Sequence, residues 1–171
     1  MERQAVLAWL KPQSQETIVD FGGGTGYIAE WLAPYCKKIL VLDPAIKLLR
    51  NVPKDPKLAT MKISENGLIP LPSGSVDAIF TMRAIHHVRN YHTVFSEFYR
   101  ILKDKGRLLI CDIYEGSLQA KHFDAIVSLY CKAGHHRAWL NPEYLKALCK
   151  KHGFLIKKCQ FLQQALSLNQ K

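Results

Sequence analysis

Ile18-Val19-Asp20-Phe21 runs straight into Gly22-Gly23-Gly24-Thr25-Gly26, and the helix-forming stretch Tyr27-Ile28-Ala29-Glu30-Trp31-Leu32 follows. Apolar, β-branched residues before a tight glycine turn, with an amphipathic segment after it, define a strand, a turn and a helix in that order. At such a junction a parallel α/β sheet holds a nucleotide-like ligand. Gly22, Gly24 and Gly26 leave room for close backbone approach and for left-handed conformations that a Cβ would oppose. The spacing is G-x-G-x-G, whereas the dinucleotide fingerprint G-x-G-x-x-G needs a glycine at 27, where tyrosine stands. A nicotinamide-dependent oxidoreductase is therefore the last of the ligand-binding readings. A glycine turn that binds nothing would look the same in isolation, so the downstream sequence has to decide.

Lys38-Ile39-Leu40-Val41-Leu42-Asp43 is a second short apolar run, ending in a carboxylate 23 residues past Asp20. An acidic side chain at the tip of the second strand can accept hydrogen bonds from both hydroxyls of a ribose, because a carboxylate is acceptor-only. Its competing role is to cap the short helix expected over Ala45 to Arg50.

Asp20 with the G-x-G-x-G turn resembles motif I of the class I S-adenosylmethionine (SAM) dependent methyltransferases. Ser64-Glu65-Asn66-Gly67-Leu68-Ile69-Pro70-Leu71-Pro72-Ser73-Gly74-Ser75-Val76-Asp77 resembles the G-D-A-x-x-L-P-F-P-D-x-S-F-D segment of the type 11 family. That family includes the quinone-biosynthesis C-methyltransferases. Asp77 to Met82, followed by Arg83-Ala84-Ile85-His86-His87-Val88, is similar to its D-x-V-x-x-x-x-x-L-H-H-V. Phe98 to Asp112 resembles its helix, L-K-P-G-G turn and fifth strand. Glutamate at 65 replaces the commoner aspartate, and Ser73 replaces an acidic residue. The motifs stand in order from residue 18 to 112, with weaker resemblance to 160.

The resemblance implies an α/β, Rossmann-like class I methyltransferase fold as one domain over residues 1–171. Its seven-stranded sheet would have the order 3-2-1-4-5-7-6, an antiparallel last strand and helices on both faces. SAM is the implied cofactor and S-adenosylhomocysteine (SAH) its product. Asp20, Gly22, Gly24, Gly26, Asp43, Pro44, Glu65, Asn66 and Met82 are the implied cofactor contacts. Glu65 would accept from the adenine amino group, and the Asn66 N–H would meet a ring nitrogen. The implied activity is methyl transfer to a small-molecule acceptor, aromatic or isoprenoid-linked.

The acceptor is expected beyond the C-terminal ends of strands four and five, near Arg83, His86, His87, Asp112 and Tyr114. His86 is the candidate base, since an imidazole titrates near neutrality; its competing role is to open the next helix through backbone hydrogen bonds. Tyr130, His136 and Trp139 complete the candidate substrate residues, with residues 115–140 as a wall and partial lid. His135-His136-Arg137 reads equally as a solvated loop, and it lacks a spaced partner for metal binding. No metal is implied.

At 171 residues and 48% hydrophobic, the chain can bury one core. No apolar run approaches the roughly 20 residues of a membrane span, and Met1-Glu2-Arg3-Gln4 does not read as a signal peptide. Cysteines 36, 111, 131, 149 and 159 form no C-x-x-C pair. Reduced thiols and a cytoplasmic location are therefore expected. Of the net +10 charge, +7 falls in residues 121–171. Lys146, Lys150 and Lys151 read best as the solvated face of a helix that opens at Asn141-Pro142 and closes at Gly153.

Two further readings remain. RNA or protein methylation is favoured by the basic end and by a short N-terminal arm, only 17 residues before the first strand's Ile18. The chain lacks both the N/D-P-P-Y/F motif of adenine amino-methylation and a Pro-Cys nucleophile, so a nucleic-acid partner ranks lower. A catalytically silent SAM-binding subunit is the other. Monomer and homodimer are both compatible. Helix Tyr91–Leu102, a third strand near Ala59–Ile63 and a terminal hairpin, Leu155–Gln160 with Ala165–Leu168, complete the expected elements.

Overall fold

Strands that are apolar on both faces belong to parallel sheets covered on both sides. The computed structural model, which describes residues 2–130 and 139–160, places them so. β1 (Thr17–Phe21), β2 (Lys38–Asp43), β3 (Leu58–Lys62), β4 (Val76–Met82) and β5 (Leu102–Cys111) form one sheet. All its ladders are parallel, in the order β3-β2-β1-β4-β5. Every strand therefore ends at the same edge, and the loops after β1 to β4 gather there.

Side chains alternate across a strand, and each face of the sheet has its own cover. On one face Ile18, Val41, Ala78, Phe80 and Leu109 pack with Val6 and Leu10 of α1 (Glu2–Leu10) and with Ile28, Ala29 and Leu32 of α2 (Tyr27–Leu32). On the other face, Phe21 meets Phe98 of α4 (Tyr91–Ile101) edge to face, with ring centroids 4.9 Å apart. Burying each such ring stabilises the fold by about 1.5–3 kcal/mol. Asn90 caps α4 by accepting from the Thr93 N–H at 3.1 Å.

The chain divides into two compact units, residues 1–112 and 113–171. The second contains α5 (Leu118–Tyr130) and α6 (Pro142–Lys151). Asn141 caps α6, accepting from Glu143 and Tyr144. Gly153, at φ 82°, closes the helix by donating to Lys150 O, while the Phe154 N–H donates to Cys149 O, as in a Schellman stop. Lys146 pairs with Glu143, and Lys150 and Lys151 are exposed, so these lysines do form the helix's solvated face. Among the described residues no helix is long and apolar enough to cross a membrane.

The seven-stranded sheet expected from the sequence is corrected: among the described residues the sheet has five strands. Leu155–Gln160 runs without a strand partner among the described residues, and Leu155 is 76% exposed. Four successive exposed residues, Lys157 to Gln160, leave that segment no apolar face to bury. Ala165–Leu168 lies outside the described residues. The helix expected over Ala45 to Arg50 shrinks to α3 (Ile46–Leu49).

Candidate functional site

The turn after β1 is fastened to the tip of β2. The Gly22 and Gly23 N–H groups both donate to Leu42 O, at 2.7 and 3.2 Å, and the Gly26 N–H closes the turn on Gly23 O at 2.8 Å. The Gly24 N–H donates to Asp43 Oδ2 at 3.0 Å, and the Ala45 N–H donates to Asp43 Oδ1 at 2.8 Å. Asp43 thus clamps the glycine turn and holds Pro44-Ala45 in an Asx turn; it is not the N-cap of α3, which is Ala45 without a side-chain cap. Each carboxylate oxygen has two lone pairs, so capacity for a diol remains.

Gly24 has φ 55°, and a Cβ there would meet only Leu48 Cδ1, at 3.8 Å. The space above it is open, a cradle for a ligand. Gly23 serves a need that the G-x-G-x-G spacing does not reveal. Its Cβ would fall 2.5 Å from Asp20 Oδ2 and 2.7 Å from Val41 Cγ1, so glycine is required where the turn crosses the aspartate.

Asp20 is 2% exposed on the face covered by α1 and α2, between the apolar residues Val41 and Phe80 on the neighbouring strands. Burial, and secondarily the nearby Asp43 charge, push its carboxyl up to about 8. An acid held this way is suited to meet a cation.

Glu65 and Asn66 lie on the exposed turn after β3, at the same edge. Glu65 pairs with Arg89 at 3.4 Å, and both side chains are solvated, so the pair holds the loop weakly. Asn66 Oδ1 accepts from Ser64 Oγ and from the Leu68 N–H. Glu97 and Arg100 brace the next stretch. They pair bidentately on α4; Glu97 accepts from the Ile69 N–H at 2.8 Å, and Arg100 donates to Ile69 O and Leu71 O. Sequence reasoning missed this brace. Its one sign was an i, i+3 acid–base pair on the helix.

Met82 ends β4, and Arg83 follows at φ 52°, its N–H donating to Cys111 O at 2.8 Å. The backbone then enters the 3₁₀ turn Ile85–His87. His86 is 6% exposed; its Nδ1 lies 2.6 Å from Asp112 Oδ1, and its own N–H donates to Asp112 Oδ2 at 3.2 Å. This carboxylate fixes the ring orientation and favours the tautomer with the proton on Nδ1. His87 is exposed, and its ring sits 4.0 Å from that of His86.

Tyr114 and Trp139 belong to the second unit. Tyr114 bridges to Leu140, and the Trp139 indole donates to Asp124 of α5 at 2.9 Å, with Phe123 beside it. The Tyr130 side chain and His136 lie outside the described residues. Among the described residues no group of three or more His, Cys, Asp or Glu is placed to hold a metal ion.

A parallel 3-2-1-4-5 sheet with a glycine turn and two carboxylates at the tips of its first two strands defines a Rossmann-like fold of the methyltransferase type. Residues 2–158 match a family model described as a methyltransferase domain, and the chain belongs to this class I SAM-dependent family. A methyltransferase of Schizosaccharomyces pombe is 31% identical over 121 residues, covering 63% of this chain and 42% of that protein. The demethylmenaquinone methyltransferase of Tropheryma whipplei is 29% identical over 113 residues, covering 64% of this chain and 47% of that protein. The chain thus matches less than half the length of these curated relatives. A putative methyltransferase structure from Bacillus halodurans superposes with a TM-score of 0.77 at 22% identity, covering 92% of this chain and 70% of that one.

Proposed function

We propose that the chain binds SAM at the glycine turn and transfers its methyl group to a small-molecule acceptor. The observation that carries this reading is the coupling of Gly24 to Asp43: one carboxylate fastens the cradle and keeps lone pairs for a ribose. The open space at Gly24 and the buried acid Asp20 fit a cofactor that is both nucleoside and cation. Asp43 takes the ribose hydroxyls, Glu65 and the Asn66 N–H take the adenine edge, and Pro44 and Met82 supply apolar contact. Gly22, Gly24 and Gly26 let the backbone approach. When bound, the cofactor supplies an electrophilic methyl group. The family match crosses from one compact unit to the other, which supports residues 1–171 working as one domain.

Where the acceptor atom carries a proton, His86 removes it. Asp112 orients the imidazole through Nδ1, leaving Nε2 as the basic nitrogen. Arg83, Tyr114, Tyr130, His136 and Trp139 are the proposed acceptor-side residues. RNA or protein acceptors remain the second reading because of the basic charge in residues 121–171; specific RNA binding would weaken steeply with salt. The test is transfer of labelled methyl from SAM to a panel of quinols, carboxylic acids and amines. His86→Asn retains an amide donor for Asp112 but no basic nitrogen. It is expected to lower transfer on the order of a hundredfold while SAH affinity stays unchanged. Undiminished turnover would place the base elsewhere; no turnover by the wild type with any acceptor would favour the silent-subunit reading.

A further inference from the structure

Glu65 and Asn66 stand on an irregular loop that cannot hold them still by itself. The Glu65 side chain is 71% exposed, and its solvated ion pair with Arg89 fixes the carboxylate only weakly. Its aim is therefore set by the backbone beneath it. From Ser64 to Ser75 that backbone belongs to no strand or helix. Ile69, within this stretch, is nonetheless 2% exposed, and buried backbone groups need partners.

Helix α4 supplies those partners, turn by turn. Near its start Val94 seats Gly67, where a Cβ would fall 2.3 Å from Val94 Cγ2. One turn on, Glu97 accepts from the Ile69 N–H at 2.8 Å, and Arg100 donates to Ile69 O at 2.8 Å. A single ion pair thus takes both backbone groups of Ile69, as a neighbouring strand would. Arg100 also donates to Leu71 O at 2.7 Å, and its own carbonyl accepts from the Gly74 N–H at 2.9 Å. Glu97 holds the guanidinium in place for this, with Nε on Oε1 and Nη2 on Oε2, both at 2.7 Å. The fixed stretch runs on into the turn that carries Glu65. There the Leu68 N–H donates to Asn66 Oδ1 at 3.2 Å, and the Gly67 N–H donates to Ser64 O at 3.1 Å.

We propose that Glu97 and Arg100 are positioning residues for base recognition: they hold the 64–71 loop where Glu65 reads the amino group of adenine, an assignment that rests on the reading that the glycine turn holds SAM. Neither residue touches the ligand; both act through the loop backbone. Without the pair, two buried backbone groups of Ile69 lose their partners, and the loop must shift to satisfy them. A shift on the order of 1 Å is enough to spoil a contact aimed from a side chain above it. Asp43 lies on the tip of β2 and is fastened to the glycine turn, so the ribose contact stays in place. The effect therefore falls on the base.

The test compares SAH with S-inosylhomocysteine by calorimetry. The analogue keeps the ribose and the amino-acid end and replaces the amino group of the base by oxygen. The wild type is expected to prefer SAH by roughly 30-fold, the worth of a hydrogen bond to a charged group. Arg100→Met is expected to cut that preference about tenfold, chiefly by weakening SAH. Glu97→Gln, which keeps the shape of the brace and loses its charge, should cut it about threefold and decides the matter if Arg100→Met does not fold. In a Glu65→Ala background Arg100→Met should cost no further preference, because the two act on one contact. Preference kept at the wild-type level in both brace variants, even with a lowered melting temperature, would make the pair merely structural and overturn the inference. A wild type that binds both ligands equally would overturn it too, and would leave SAM at the glycine turn. A wild type that takes neither ligand would instead overturn the cofactor reading on which it rests.

Discussion

Gly24→Val is expected to abolish SAH binding, by more than a hundredfold, in a protein that remains folded. The φ of 55° at this position disfavours a β-branched residue, at a cost of about 1–3 kcal/mol. Against the protein itself the new Cβ would be in ordinary contact, with Leu48 Cδ1 3.8 Å away. The two methyl groups would project into the open cradle and fill the space the cofactor needs. Gly22→Ala gives the opposite outcome. Its Cβ would fall 2.3 Å from that of Ala84, an atom fixed to backbone, so the fold itself must shift. Thermal melts with and without SAH separate the two. SAH affinity unchanged in Gly24→Val would place the ligand elsewhere.

Asp20→Asn is expected to remove the largest pH dependence of stability near neutrality. The ordinary value for this carboxyl is 3.8, and burial followed by the Asp43 charge raises it to about 8 in the folded chain. Between those values the folded chain holds a proton that the unfolded chain has released. Wild-type stability therefore falls as pH rises from about 4 to about 8, and levels off above. At about 1.4 kcal/mol per pH unit the loss is roughly 5 kcal/mol. The amide has the shape of the protonated acid and does not titrate, so the variant should hold level and exceed the wild type at the alkaline end. Glu97 acts with opposite sign. The Arg100 hydrogen bond holds it below its ordinary value against burial, so its contribution is present at neutral pH and lost on acidification. Chemical denaturation at steps from about pH 5 to about pH 8 checks the difference, and parallel slopes for wild type and Asp20→Asn would count against it.

The centre of the sheet was legible because β1, β2 and β4 are largely buried on both faces. Ile18-Val19, Ile39 to Leu42 and Ala78 to Phe80 are apolar without interruption, and a glycine turn or a terminal aspartate marks where the first two stop. The start of β5 was less so. The register jumps from Val76↔Leu102 to Ala78↔Arg107, so Lys103 to Gly106 bulge out of a strand that begins directly after α4. Leu155–Gln160 shows the limit of alternation as a signal: Ile156 is half-buried, but Leu155 and Lys157 to Gln160 are exposed. At the site, Asp43 was visible from its spacing, but its bond to the Gly24 N–H was not, since nothing local encodes it. The same holds for Arg100 reaching Ile69 and Leu71. The burial of His86 against Asp112 is likewise a contact across 26 residues. Composition marks both as polar and says nothing of their shared place.

The most direct test of the central claim is calorimetric titration of SAH into the purified chain and its Asp43→Ala variant, with NAD titrated in parallel. The account predicts saturable one-to-one binding of SAH by the wild type and no heat from NAD. It also predicts an affinity lower by on the order of 2 kcal/mol in Asp43→Ala, the worth of hydrogen bonds to a charged group. NAD binding without a response to SAH, or a variant that binds SAH as tightly as the wild type, would contradict it.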